Sequence, residues 1–219
     1  MLNERQLQYL EAMGIPAWLE RGEVVPERDA SPTDDWVSLE SQVSICTRCG
    51  LHQTRTRPVF GVGNRTAQWM IIGEAPGAEE DRQGEPFVGR AGQLLNEMLA
   101  AIGLDRRTVY ITNILKSRPP NNRDPNPDEV LACEPYLKRQ IELIRPKIIL
   151  AVGRIAAQNL LKTDNRIGAL RGRMHRHADS GTPIVATYHP AYLLRSPLEK
   201  RKAWEDLRLA VRIYKEAAA

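Results

Sequence analysis

The chain has 219 residues, 42% hydrophobic and 26% charged, with a formal charge of +4. Such a length and apolar content suit one α/β domain with a tail; with no run near ~18 apolar residues and no signal-peptide pattern, a membrane or secreted protein is not indicated and a cytoplasmic one is expected. The mild positive charge fits a nucleic-acid partner without proving one, and three cysteines are too few for a disulfide framework.

Residues 3–13 read as a short helix, with Asn3 at the cap, Gln6 at the capping-box position and Gly14 at the end. Leu7, Leu10 and Met13 form a narrow apolar stripe, and Ile15, Pro16 and Trp18 follow in a segment that cannot continue the helix. Residues 22–35 have the composition of a flexible acidic linker. The chain therefore divides into a tethered peptide (1–21), a linker (22–36) and a folded domain (37–219). Two readings of the peptide compete: its anchors Leu7, Leu10, Ile15 and Trp18 dock on the domain, or they bind a partner.

Cys46-Thr47-Arg48-Cys49 has the spacing that brings two thiolates to one metal. Gln68 to Ile72 is a short apolar run typical of a strand buried on both faces, and Gly73-Glu74-Ala75-Pro76-Gly77 stops it with a tight turn. Ala91, Leu94, Leu95, Met98, Leu99 and Ile102 then repeat at helical spacing up to Gly103. A second strand spans Arg107–Ile114 and ends near Asn113. Asn126, Pro127, Asp128 and Glu129 make a helix start, and Pro135 is expected to bend that helix or to lie in its first regular turn. Ile148–Val152 is a third strand, followed by a helix from Gly153 to Leu161. Residues 162–181 read as irregular and rich in Arg and His, either a solvated loop or an edge that contacts phosphates. Ile184–Tyr188 is a fourth strand delivering His189; Ser196, Pro197 and Glu199 cap a last helix with Trp204, Leu207, Val211 and Tyr214 inward.

The alternation of strand and helix predicts a three-layer α/β/α fold around a four-stranded parallel sheet. Glu74, Asn113 and His189 then fall at carboxyl ends of strands on one sheet edge, where such folds bind ligands.

Gly73-Glu74-Ala75-Pro76-Gly77 with Glu80-Asp81, Gly84 to Gly89, Tyr110 to Ile114, Arg118-Pro119-Pro120 and His189 to Arg195 together resemble the family 4 uracil-DNA glycosylases over residues 43–216. The resemblance implies the glycosylase fold, a monomer when free, and excision of uracil flipped out of DNA. It gives Phe87 the stacking face, Asn113 the Watson–Crick edge of the base, His189 the developing oxyanion and Glu74 the water or cationic sugar. Glu80 would support Glu74, the Ala75 amide would line the pocket, and Tyr192, Leu193, Leu194 and Arg195 would press on DNA, one leucine filling the gap. It also implies a [4Fe–4S] cluster on four cysteines. Cys46, Cys49 and Cys133 match three of them, but the third position is Ser117, a far poorer ligand for iron than a thiolate.

Gln8 to Trp18 resembles the N-terminal segment of the psi subunit of the bacterial replicative clamp loader. The partners this implies are the loader's ATPase subunits and its chi subunit. Three readings follow: a uracil-DNA glycosylase, a non-catalytic psi-like subunit on a glycosylase scaffold, and a nucleotide-binding α/β domain with another reaction.

Overall fold

The protein is described by a computed structural model over residues 32–218. The expected helix 3–13, its anchors and most of the linker lie outside the described residues.

Four strands are apolar because the sheet buries them on both faces. These are β2 (Trp69–Gly73), β3 (Tyr110–Asn113), β4 (Ile148–Val152) and β6 (Pro183–Thr187), all parallel. Alternate residues serve opposite layers. Met70 and Ile72 of β2 pack with Trp36, Leu137 and Ile141, whereas Trp69 and Ile71 pack with Leu95, Leu99 and Leu207. The first layer contains α1 (Pro32–Ser44), α4 (Pro127–Ile144), α5 (Arg154–Leu161) and α6 (Ile167–Leu170). The second contains α3 (Arg90–Ala100) and α8 (Lys200–Ala218). The expected three-layer α/β/α fold is present.

The sheet differs from the expectation in having six strands, ordered β1-β3-β2-β4-β6-β5. β1 (Val62–Gly63) pairs antiparallel with β3, and β5 (Met174–Arg176) pairs antiparallel with β6. Neither edge strand is a buried apolar run, so neither carries the pattern of a core strand. The stretch read as irregular at 162–181 therefore contains α6 and β5. Two short helices also follow strand ends, α2 (Ala78–Gln83) and α7 (Pro190–Arg195). At the N-terminal side, α1 begins at Pro32, within the stretch read as linker, and buries Trp36 against Phe60 and Tyr110.

α4 starts as expected: Asn126 caps it, and Glu129 accepts from the Asn126 backbone N–H at 2.8 Å. It runs past Pro135 to Ile144. Register fixes the functional edge. Gly73 is level with Asn113, and Val152 with Thr187, so the segments beginning at Glu74, Ile114, Gly153 and Tyr188 leave the sheet on the same side.

Candidate active site

At that edge a cavity of about 430 Å³ is lined by Glu74, Ala75, Glu80, Phe87, Asn113 and His189, with Tyr192 and Arg195 from α7 and Asp124 from the turn before α4. The residues expected from the strand ends are brought together.

Gly73 makes the floor possible. A Cβ there would lie 2.5 Å from both the Asn113 Oδ1 and the Phe87 Cζ, so these two side chains approach over bare backbone. Asn113 is buried, and its Oδ1 has no hydrogen-bond partner among the described residues. An orphaned buried acceptor costs about 1–3 kcal/mol, so this amide is kept for a ligand rather than for the fold. Beneath it, the buried Lys116 ammonium donates to Asn113 O (2.8 Å), Thr112 Oγ1 (2.6 Å) and Gln140 Oε1 (2.7 Å), and burial pushes its pKa down to about 7.

His189 caps α7. Its Nδ1 accepts the Ala191 N–H at 3.1 Å, so the neutral ring carries its proton on Nε2. Burial first, then Arg195, pushes the imidazole down to about 4, with Glu80 opposing. The ring is therefore neutral at physiological pH and presents a donor. It lies 5.6 Å from Phe87 at 29° between planes. Gly153 leaves room for it, since a Cβ there would stand 3.0 Å from the His189 Cβ.

Burial pushes the Glu74 carboxyl up to about 7; Asp124 adds to the rise and Arg154 opposes it. Asp124 and Arg154 are themselves paired at 2.6 Å. Glu80 has another task besides the one expected of it. Its Oε1 accepts the backbone N–H groups of Val88 (3.0 Å) and Gly89 (3.1 Å), holding the turn that carries Phe87.

Of the expected DNA-facing residues, Tyr192 and Leu194 are exposed. Leu193 is 1% exposed and packs in the core beneath α7, whereas Leu194 faces outward. Arg171, weighed as a phosphate contact, is committed instead to the buried Asp206 at 3.0 Å and to the Lys202 carbonyl at 2.6 Å.

Residues 60–208 match the uracil DNA glycosylase superfamily. The chain belongs to this superfamily. It is 49% identical over 171 residues to a type-4 uracil-DNA glycosylase of Archaeoglobus fulgidus, covering 75% of this chain and 85% of that protein. It is 47% identical over 177 residues to the type-4 enzyme of Saccharolobus solfataricus, with 78% and 82% covered. A type-5 uracil-DNA glycosylase of Pyrobaculum aerophilum is 32% identical over 176 residues, with 72% and 76% covered. The higher identities stand with the type-4 members of the uracil DNA glycosylases, as the motifs implied.

The second expected site lies behind the first. Cys133 of α4 packs with Leu51 and Leu115, with Cys49 at the margin, and its thiol is pushed up by burial while feeling both Cys46 and Cys49. The Lys116 N–H reaches the Cys133 Sγ at 3.5 Å. Three thiols thus come from two segments, the Cys46–Cys49 turn and α4, close enough to influence one another, and thiols are donors that suit iron. The fourth position does not suit it. Ser117 is buried and its Oγ accepts from Arg55 Nη1 at 2.9 Å, while Nη2 of the same guanidinium ties down the carbonyls of Ser44 (3.2 Å) and Cys46 (3.0 Å). Among the described residues, no three His, Cys, Asp or Glu side chains form a metal site as they stand.

Sequence reasoning overlooked Lys116, Arg55, Arg106, Asp124 and Arg154. Arg106 donates to the carbonyls of Pro86 and Phe87. Single charged residues give no periodic signal, and only the fold shows which groups each of them meets.

Proposed function

We propose that this chain hydrolyses the bond between uracil and deoxyribose in DNA, acting on a nucleotide turned out of the helix into the 430 Å³ cavity. The observation that carries the reading is the buried Asn113 Oδ1 beside the Phe87 ring, unpartnered among the described residues. Uracil offers a matching N3–H donor, and the Asn113 amide N–H₂ a donor for O4. As the C1′–N1 bond breaks, its electron pair moves onto the uracil ring, where the His189 Nε2–H donates to O2. The sugar becomes cationic and takes up water at C1′. The Glu74 carboxylate favours that cation, orients the water and accepts its proton. Leu194, with Tyr192 and Arg195, occupies the gap in the DNA.

The working form of Glu74 is the carboxylate, and its pKa is raised to about 7, whereas His189 changes charge only near 4. Activity should therefore rise with pH through about 7. The test is incubation of the chain with uracil-containing single- and double-stranded DNA, scored for abasic sites across pH. No excision in either substrate would overturn the reading. Residues 1–21 are read as a clamp-loader-binding peptide on the strength of the sequence resemblance. A chain without them should excise equally well but lose co-purification with the loader, and retained co-purification would defeat that reading.

The same resemblance supports an iron–sulfur cluster held by Cys46, Cys49 and Cys133, with Ser117 at the remaining corner. Such a cluster would be structural, bracing the Gly50–Gln53 turn, the loop after β3 and α4 behind the uracil site. A thiolate binds iron better than a hydroxyl shared with a guanidinium. Ser117→Cys should therefore raise the iron bound per chain after anaerobic purification. Unchanged iron content would remove Ser117 from the metal's surroundings.

A further inference from the structure

Phe87 stands in the left-handed region at φ 54°, unusual for a bulky side chain. Such a conformation is strained and persists only where its surroundings over-determine it. Three features do so. The guanidinium of Arg106 donates through Nη2 to the Pro86 carbonyl at 2.7 Å and through Nη1 to the Phe87 carbonyl at 3.0 Å. On the other side of the turn, Glu80 accepts the N–H groups of the next two residues. A cation thus faces the carbonyls and an anion the amides of the same four-residue turn. Finally, Gly92 of α3 gives way beneath it: a Cβ there would lie 1.8 Å from the Phe87 oxygen.

We propose that Arg106 is a positioning residue for the base, holding the Phe87 ring where uracil must stack. The role rests on the reading of function given above. Arg106 does not line the cavity and reaches it through the turn that carries Phe87; its Nη1 also donates to the Asn96 Oδ1 of α3 at 3.5 Å. The turn that presents it is itself fixed, because the Asp105 Oδ1 accepts the backbone N–H groups of Arg107 (2.8 Å) and Thr108 (3.0 Å). The Arg106 side chain is partly buried and feels the charges of Glu85 and Glu80, so its hydrogen bonds to the two carbonyls are formed partly out of bulk water. The planar fork reaches two successive carbonyls at once; a lysine ammonium lacks that geometry. With the fork removed, only the Glu80 contacts and the space at Gly92 hold the turn, and Phe87 can relax toward an extended backbone, which would carry the ring off the floor formed by Gly73.

The test is a double-mutant cycle in single-turnover excision of uracil, with Arg106→Met, Arg106→Lys, Phe87→Ala and the paired variants, alongside melting temperature and affinity for uracil-free DNA. Arg106→Met should slow excision about ten- to a hundredfold, the scale of a misplaced reacting group, and Arg106→Lys by less. Neither should change affinity for uracil-free DNA. In the Phe87→Ala background either substitution should cost nothing further, because the residue through which Arg106 acts is gone. Unchanged excision in the single variants would overturn the role, as would losses that add in full to Phe87→Ala or that follow melting temperature and DNA affinity. If Arg106→Met fails to fold, the Arg106→Lys cycle decides by the same criteria. Absence of excision by the wild-type chain would overturn the reading of function and this role with it, whereas excision with full additivity overturns this role alone.

Discussion

Replacing His189 by alanine is expected to slow uracil excision by roughly a hundred- to a thousandfold, about 2–4 kcal/mol of transition-state stabilisation, as for loss of one preorganised oxyanion donor. The ring is held in place before substrate arrives. Its Nδ1 is occupied by the Ala191 N–H, Gly153 gives it room, and burial and Arg195 keep it neutral. An imidazolium would be the stronger donor, but burial beside Arg195 disfavours it. A neutral donor fixed in place still stabilises the uracil anion, because it needs no reorganisation as charge develops. Affinity for DNA should hardly change, since phosphate contacts carry most of it. Single-turnover rates and binding isotherms of wild type and His189→Ala would check both halves. Equal rates would remove His189 from the mechanism. The acid limb near pH 7 belongs to Glu74 and should survive in the variant's residual activity.

The central sheet was legible because burial on both faces leaves an unbroken apolar run, as in β2 and β4. β1 and β5 lacked that signal: each is two or three residues long and pairs along one side only. α2 and α7 have six residues apiece, too few for a helical period to show. Glu74, Asn113 and His189 could be placed on one edge because each follows or ends a readable strand. The groups that support them could not. Lys116 looks like one more basic residue in a loop until the fold surrounds its ammonium with three acceptors. Arg106 is separated from Phe87 by the whole of α3, and its partners are main-chain carbonyls, which have no sequence signature. Leu193 and Leu194 were indistinguishable as adjacent leucines; one turn of α7 sends the first into the core and leaves the second exposed.

The Asn113→Asp variant should lose its preference for uracil and gain measurable excision of cytosine. The native amide pairs one acceptor and one donor with N3–H and O4 of uracil. It sits 2% exposed over Gly73, and its backbone carbonyl is held by Lys116, so it cannot turn aside to seek water or another partner. An ionised aspartate would face uracil O4 with a second acceptor and leave a buried charge unpaired. Burial therefore favours the protonated acid at this position. A protonated carboxyl offers one donor and one acceptor, which match N3 and the N4 amino group of cytosine. Sites built to pair with a base edge discriminate strongly, because the wrong base leaves buried polar groups without partners. The carboxyl proton can sit on either oxygen, so the variant can pair with either base and no longer rejects cytosine as the fixed amide does. Single-turnover assays on matched oligonucleotides carrying uracil or cytosine at one position would measure the loss of preference. If base preference were unaltered, the Asn113 side chain would not be reading the base.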